Sequence, residues 1–102
     1  MSYPLYVAFI WHQHQPLYKS NQSLGNEAGN YRLPWVRLHG TKDYLDLVLL
    51  LERYPKLHQT VNLVPSLILQ LEDYAAGKAI DPYLALTITP ESQITTENRL
   101  KI

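Results

Sequence analysis

Three features of the chain predict an α/β fold with parallel strands. The first is an apolar run, Leu5 to Trp11, bounded by Pro4 and Pro16 and rich in branched and aromatic residues. Such a run reads as a strand buried on both faces. The second is a leucine-rich stretch with helical spacing, from Thr41 to Arg53, closed by Pro55. The third is a shorter run, Leu57 to Leu63, followed by another helical pattern. A strand, a helix of about a dozen residues and a second strand form the crossover that joins parallel neighbours.

Each element follows from its residues. Past the first strand, residues 12 to 40 carry no sustained period, and turn-forming clusters at 21–26 and 29–30 suggest a long loop. Loops of that length in a compact domain tend to be functional or disordered. Tyr31 and Trp35 favour order, because disordered segments are poor in aromatic residues. Thr41 is a plausible N-cap, with Asp43 favourably placed in the first turn. Tyr44, Val48 and Leu51 share one helical face, which Leu45, Leu49 and Leu50 broaden. Val61 and Leu63, with branched Thr60, mark the second strand. Pro65 suits a helix start. Leu67, Ile68, Leu71, Tyr74 and Ala75 form its apolar face, with Gln70, Glu72 and Asp73 opposite. Gly77 suits the residue just past the helix end, and Asp81-Pro82 begins a further helical turn to Leu86. Residues 87–102 read as a polar tail in which no element is completed.

Composition narrows the function. At 102 residues the chain allows one small domain. Nine basic and nine acidic side chains give a formal charge of zero, and no basic cluster points to a nucleic-acid partner. Without cysteines there is no disulfide framework and no thiolate metal site. The apolar N-terminal run has no basic lead-in and no small-residue cleavage site, so a signal peptide is not expected. The longest apolar stretch, Leu47 to Leu51, is too short to cross a bilayer. No membrane partner is therefore expected, and the cytoplasm is the expected compartment.

The chemistry-bearing stretch is His12-Gln13-His14-Gln15-Pro16. Residues two apart in a strand point the same way, so His12 and His14 project side by side if extended geometry persists. The carboxyl end of a buried strand is where α/β proteins place ligands. A neutral imidazole carries one donor and one acceptor, and an amide such as Gln15 has the same dual capacity. Spacing alone leaves two roles open: satisfying backbone groups at the strand end, or contacting a ligand. Trp35 likewise fits a stacking platform or an anchor for the loop, and Asn62 fits a bond to a loop or to a ligand.

This motif, with Leu33-Pro34-Trp35-Val36-Arg37-Leu38-His39-Gly40-Thr41-Lys42-Asp43-Tyr44 and Asn62-Leu63-Val64-Pro65-Ser66-Leu67 followed by Gln70-Leu71-Glu72-Asp73-Tyr74, resembles glycoside hydrolase family 57. The likeness runs over roughly residues 5 to 86, in the family's order. One departure is Val61, where the family often has an aromatic residue. The resemblance implies an incomplete (β/α)7 barrel and an α-glucan or maltooligosaccharide partner. It also implies a retaining mechanism with a glutamate nucleophile and an aspartate acid/base. On this likeness His12 and His14, with Gln15 and Trp35, bind substrate, and no cofactor is required. The two catalytic carboxylates of the family lie on later strands, so residues 1–102 are expected to be the N-terminal portion of a barrel, inactive alone and needing its C-terminal part.

The chain's nine carboxylates agree with that expectation. Asp43, Asp46, Glu52, Glu72 and Asp73 fall on predicted helices as solvated faces. Asp81 reads as a cap, Glu91 and Glu97 lie in the tail, and Glu27 lies in the long loop. No pair stands at strand ends, so no catalytic residue is assigned. Two other readings remain open on the sequence. One is a metal-dependent amidohydrolase-like barrel fragment using His12 and His14, although zinc needs three or four ligands and only His39, His58 and carboxylates could complete them. The other is a non-catalytic carbohydrate-binding or interaction protein.

Overall fold

The computed structural model describes residues 1–20 and 29–100. Its strands are β1 (Ile10–Gln13), β2 (Lys19–Ser20), β3 (Gly29–Tyr31), β4 (Thr60–Leu63) and β5 (Ala79–Ile80). Its helices are α1 (Trp35–Thr41), α2 (Asp43–Arg53), α3 (Pro65–Ala75), α4 (Pro82–Ile88) and α5 (Thr96–Arg99), with a 3-10 turn at Glu91–Gln93. The fold is α/β, and β1 pairs with β4 in parallel, with Ile10 beside Thr60 and His12 beside Asn62.

That pairing is the one predicted, but both strands are shorter. β1 covers Ile10–Gln13 rather than Leu5–Trp11, so His12 lies inside the strand. The ladder sets its length: Thr60 N donates to Phe9 O at 3.3 Å and Val64 N to Gln13 O at 3.3 Å, bracketing the four rungs. β4 starts at Thr60: a turn closed by Leu57 N on Tyr54 O at 2.9 Å takes Leu57 out of the strand, and the ladder begins only where Thr60 meets Ile10. The burial expected of the first run is also overturned. Leu5 is 89% exposed and Phe9 68%, because α3 and its neighbours pack beyond the strand's far end.

The predicted loop after β1 contains three short elements. β2 pairs antiparallel with β3, and β3 pairs in parallel with β5. Strands of two or three residues are too short to show a period. The turn clusters at 21–26 and Glu27 lie outside the described residues. α1 ends at Thr41, which is therefore no N-cap. Its hydroxyl bonds back to Arg37 O at 2.9 Å and to Leu38 O at 3.3 Å, and Lys42 takes the cap position of α2. The tail also holds structure: Thr95 caps α5, its hydroxyl accepting from Asn98 N at 3.2 Å.

The core lies between α1, α3 and the small sheet. Tyr31, Val36 and Leu67 are buried there, together with Gln70 and Asp81. Gln70, expected on a wet face, is fully buried because its amide satisfies backbone groups. Nε2 donates to Pro16 O and Ser66 O, both at 2.8 Å, and Oε1 accepts from Tyr18 N at 2.8 Å. Gly40 is where α1 crosses α3, since a Cβ there would lie 2.7 Å from Leu71 Cδ2. Pro65 occupies the first turn of α3, and Gly77 takes a φ of +68° after it, both as predicted.

Candidate functional site

The site is built where β1 runs out. β1 orients His12, and the turn after it is pinned to α3. Ser66 Oγ donates to Gln15 O at 2.8 Å, and Gln70 holds Pro16 O and Tyr18 N. With the backbone held on both sides, His12 and His14 stack their exposed rings with centroids 5.8 Å apart and an interplanar angle of 17°. The side-by-side projection expected from strand alternation is observed. Asn62, beside His12 in the register, is also exposed. Gln13, on the alternate face, is buried.

The Gln15 side chain is not free. Its Nε2 donates to Tyr44 Oη at 3.2 Å, and its Oε1 accepts from Tyr18 Oη at 3.2 Å. Tyr44 continues into a file of rings: its centroid is 6.1 Å from His39, and His39 lies 6.0 Å from Trp35 at 28°. Nδ1 of His39 pairs with the Asp43 carboxylate. Trp35 opens α1 at 44% exposure, while the adjacent Val36 is completely buried. The anchor is therefore Val36, while Trp35 stays partly exposed with its ring stacked on His39.

Among the described residues the carboxylates lie on helices, in the 3-10 turn or at a helix cap. Asp43, Asp46 and Glu52 lie on α2, Glu72 and Asp73 on α3, Glu91 in the 3-10 turn and Glu97 on α5. Asp73, expected to be solvated, instead accepts from Lys19 Nζ and Tyr31 Oη, each at 2.7 Å. The Lys19 bond and then the Tyr31 bond hold its carboxyl below the usual range. Asp81 caps α4 by accepting from Tyr83 N at 3.1 Å and Leu84 N at 2.9 Å. It also receives Arg37 Nε at 2.8 Å and Tyr74 Oη at 3.0 Å. Burial pushes Asp81 up, but Arg37, the Leu84 amide and Tyr74 together bring it below its ordinary value. Burial, then the Asp81 charge, raises the Tyr74 hydroxyl well above the ordinary tyrosine range. These two carboxylates are therefore committed to internal bonds.

Among the described residues no group of three or more His, Asp or Glu side chains is arranged to hold a metal ion. His58 precedes β4, at the end of the sheet opposite the imidazole pair. None of the described helices is long and apolar enough to cross a membrane.

The sequence model of glycosyl hydrolase family 57 matches residues 8–101. This chain belongs to glycosyl hydrolase family 57. No curated protein and no solved structure matches the chain. The family 57 match spans β1, both histidines, the ring file from Trp35 to Tyr44 and α3. Tyr18 and Tyr44 are the site residues that pattern did not reveal. Tyr44 reads as part of an apolar helical face, and nothing in spacing announces where its hydroxyl ends.

Proposed function

We propose that residues 1–102 form the first part of a family 57 barrel and bind an α-glucan or maltooligosaccharide for a retaining glycoside hydrolase or glucanotransferase. The observation that carries the reading is the stacked His12–His14 pair at the carboxyl end of a parallel strand. Two neutral imidazoles present two donors and two acceptors at one spot, which matches the paired hydroxyls of a glucose ring. Asn62, beside His12 in the register, suits a further hydroxyl, and the partly exposed Trp35 ring on α1 suits the apolar face of a sugar.

Bond cleavage needs more. Retention requires two carboxyl groups about 5 Å apart across the scissile bond, one as nucleophile and one as acid. Among the described residues Asp73 and Asp81 are bound internally and the other carboxylates lie on helices or the 3-10 turn. We therefore assign substrate binding to this chain and both carboxylates to strands supplied from outside it. Holding substrate and transition state equally well does not speed the chemical step, so the 102 residues alone are expected to be inert.

The test is reducing-end release from maltoheptaose by the purified chain, beside the His12→Ala, His14→Ala double variant. Neither protein is expected to release sugar. Release that survives purification and disappears in the double variant would contradict the assignment and indicate an autonomous enzyme.

A further inference from the structure

We propose that Ser66 is a positioning residue of the imidazole pair: its hydroxyl supplies the ladder rung after the last backbone one, so that His14 keeps its place beside His12 to meet a glucan. This inference rests on the glucan-binding reading above and deepens it, naming a residue that acts on the site through the backbone of the histidine segment.

β1 ends at Gln13, so His14 lies outside the strand, yet its ring stacks on that of His12. Residues two apart share a face only while the chain stays extended, and a chain past its last rung is free to turn away. The bonds at the strand end show what holds it. Along the ladder, donor and acceptor keep one sequence offset: Thr60 N bonds Phe9 O and Val64 N bonds Gln13 O, each at 3.3 Å. The next pair with that offset is residue 66 with the carbonyl of residue 15. By then α3 has begun, at Pro65, and the backbone of Ser66 has left the sheet. Its hydroxyl donates to Gln15 O at 2.8 Å instead. His14 is thereby held between two bonded carbonyls, Gln13 O and Gln15 O, both tied to the junction of β4 and α3.

Gln70, one turn along α3, secures Ser66 and the residues beyond. Its Nε2 donates to Ser66 O and Pro16 O, and its Oε1 accepts from Tyr18 N, all at 2.8 Å. A carbonyl oxygen only accepts and a backbone N–H only donates. Turning this amide over would set oxygen against oxygen and N–H against N–H. Gln70 is completely buried, where a mismatched polar atom is costly, so one orientation holds. Binding gains when such order is present before the ligand arrives.

The test is maltoheptaose titration of the full chain, followed through the His12 and His14 ring protons. Ser66 is half-buried, and Ser66→Ala removes only its hydroxyl. The His14 ring signals are expected to move in that variant before sugar is added, and to return towards their original positions in Ser66→Thr, which restores the hydroxyl. Maltoheptaose affinity is expected to fall roughly three- to tenfold in Ser66→Ala, the range of one hydrogen bond, and to recover in Ser66→Thr. Adding Ser66→Ala to His14→Ala is expected to cost nothing further. A loss of equal size in both backgrounds would mark a general structural role and overturn the proposal. Gly77→Ala, just past the other end of α3, is the control: it strains the backbone and is expected to leave affinity unchanged. Saturable binding that Ser66→Ala does not weaken would overturn the positioning role alone. A wild-type chain that does not bind maltoheptaose would overturn the glucan reading, and this role with it.

Discussion

Asp81 shows how a single carboxylate can fix the geometry of three helices. Its side chain is completely buried, and it bonds Arg37 of α1, Tyr74 of α3 and two amides of α4. A buried charge is tolerable only when its partners are in place, and removing one of them typically costs about 3–5 kcal/mol. Arg37→Met is therefore expected to destabilise the chain by about 3 kcal/mol, read from the urea midpoint. Asp81 and Asp73 both have folded pKa values below their ordinary ones. Their stabilisation is therefore present above the unfolded pKa, near 4, and is lost as pH falls through the lower folded values. The thermal midpoint is expected to drop on acidification below about pH 4, and the drop should be smaller in Asp81→Asn. An unchanged acid profile in that variant would refute the assignment.

At the scale of elements, local chemistry explains where helices begin and end. Gly77 ends α3 with a positive φ, and a Cβ added there would meet nothing within 4 Å. Gly77→Ala meets no clash, yet the left-handed conformation costs about 1 kcal/mol, and the thermal midpoint is expected to fall accordingly. Pro65, Gly77 and Asp81 were legible because a proline, a glycine and a capping aspartate each act within one turn. The parallel partnership of β1 and β4 was legible because an intervening helix leaves little alternative. The true extent of β1 was not, since apolar character says a residue can enter a strand but only a partner's backbone decides that it does. β2, β3 and β5 were hidden for the same reason, with pairing supplied by distant residues. At the site, His12 and His14 could be read from strand alternation, whereas the bond from Gln15 to Tyr44 depends on α2 approaching the turn after β1.

The whole molecule is open rather than compact. Its Cα radius of gyration is 18.9 Å, against about 13 Å for a compact chain of this length. α2 buries none of its residues, and Leu45, Val48, Leu49 and Leu50 stand about half exposed. Ile10, Val61 and Leu63 leave the two-stranded sheet similarly uncovered. Parallel sheets are normally covered on both faces, and uncovered apolar surface drives association. Val48→Lys with Leu49→Lys is therefore expected to raise the soluble fraction and lower binding of a hydrophobic dye, while changing stability by less than about 1 kcal/mol. Dye binding that stays unchanged would mean that this face is not the exposed patch. The proposed glucan site rests on the imidazole pair. The most direct measurement is an NMR titration of the His12 and His14 ring protons with maltoheptaose. Both rings are expected to shift together along one saturable curve, while His58, at the far end of the sheet, stays still. Saturable binding that leaves both rings unmoved, or no binding at all, would contradict a glucan site at these histidines.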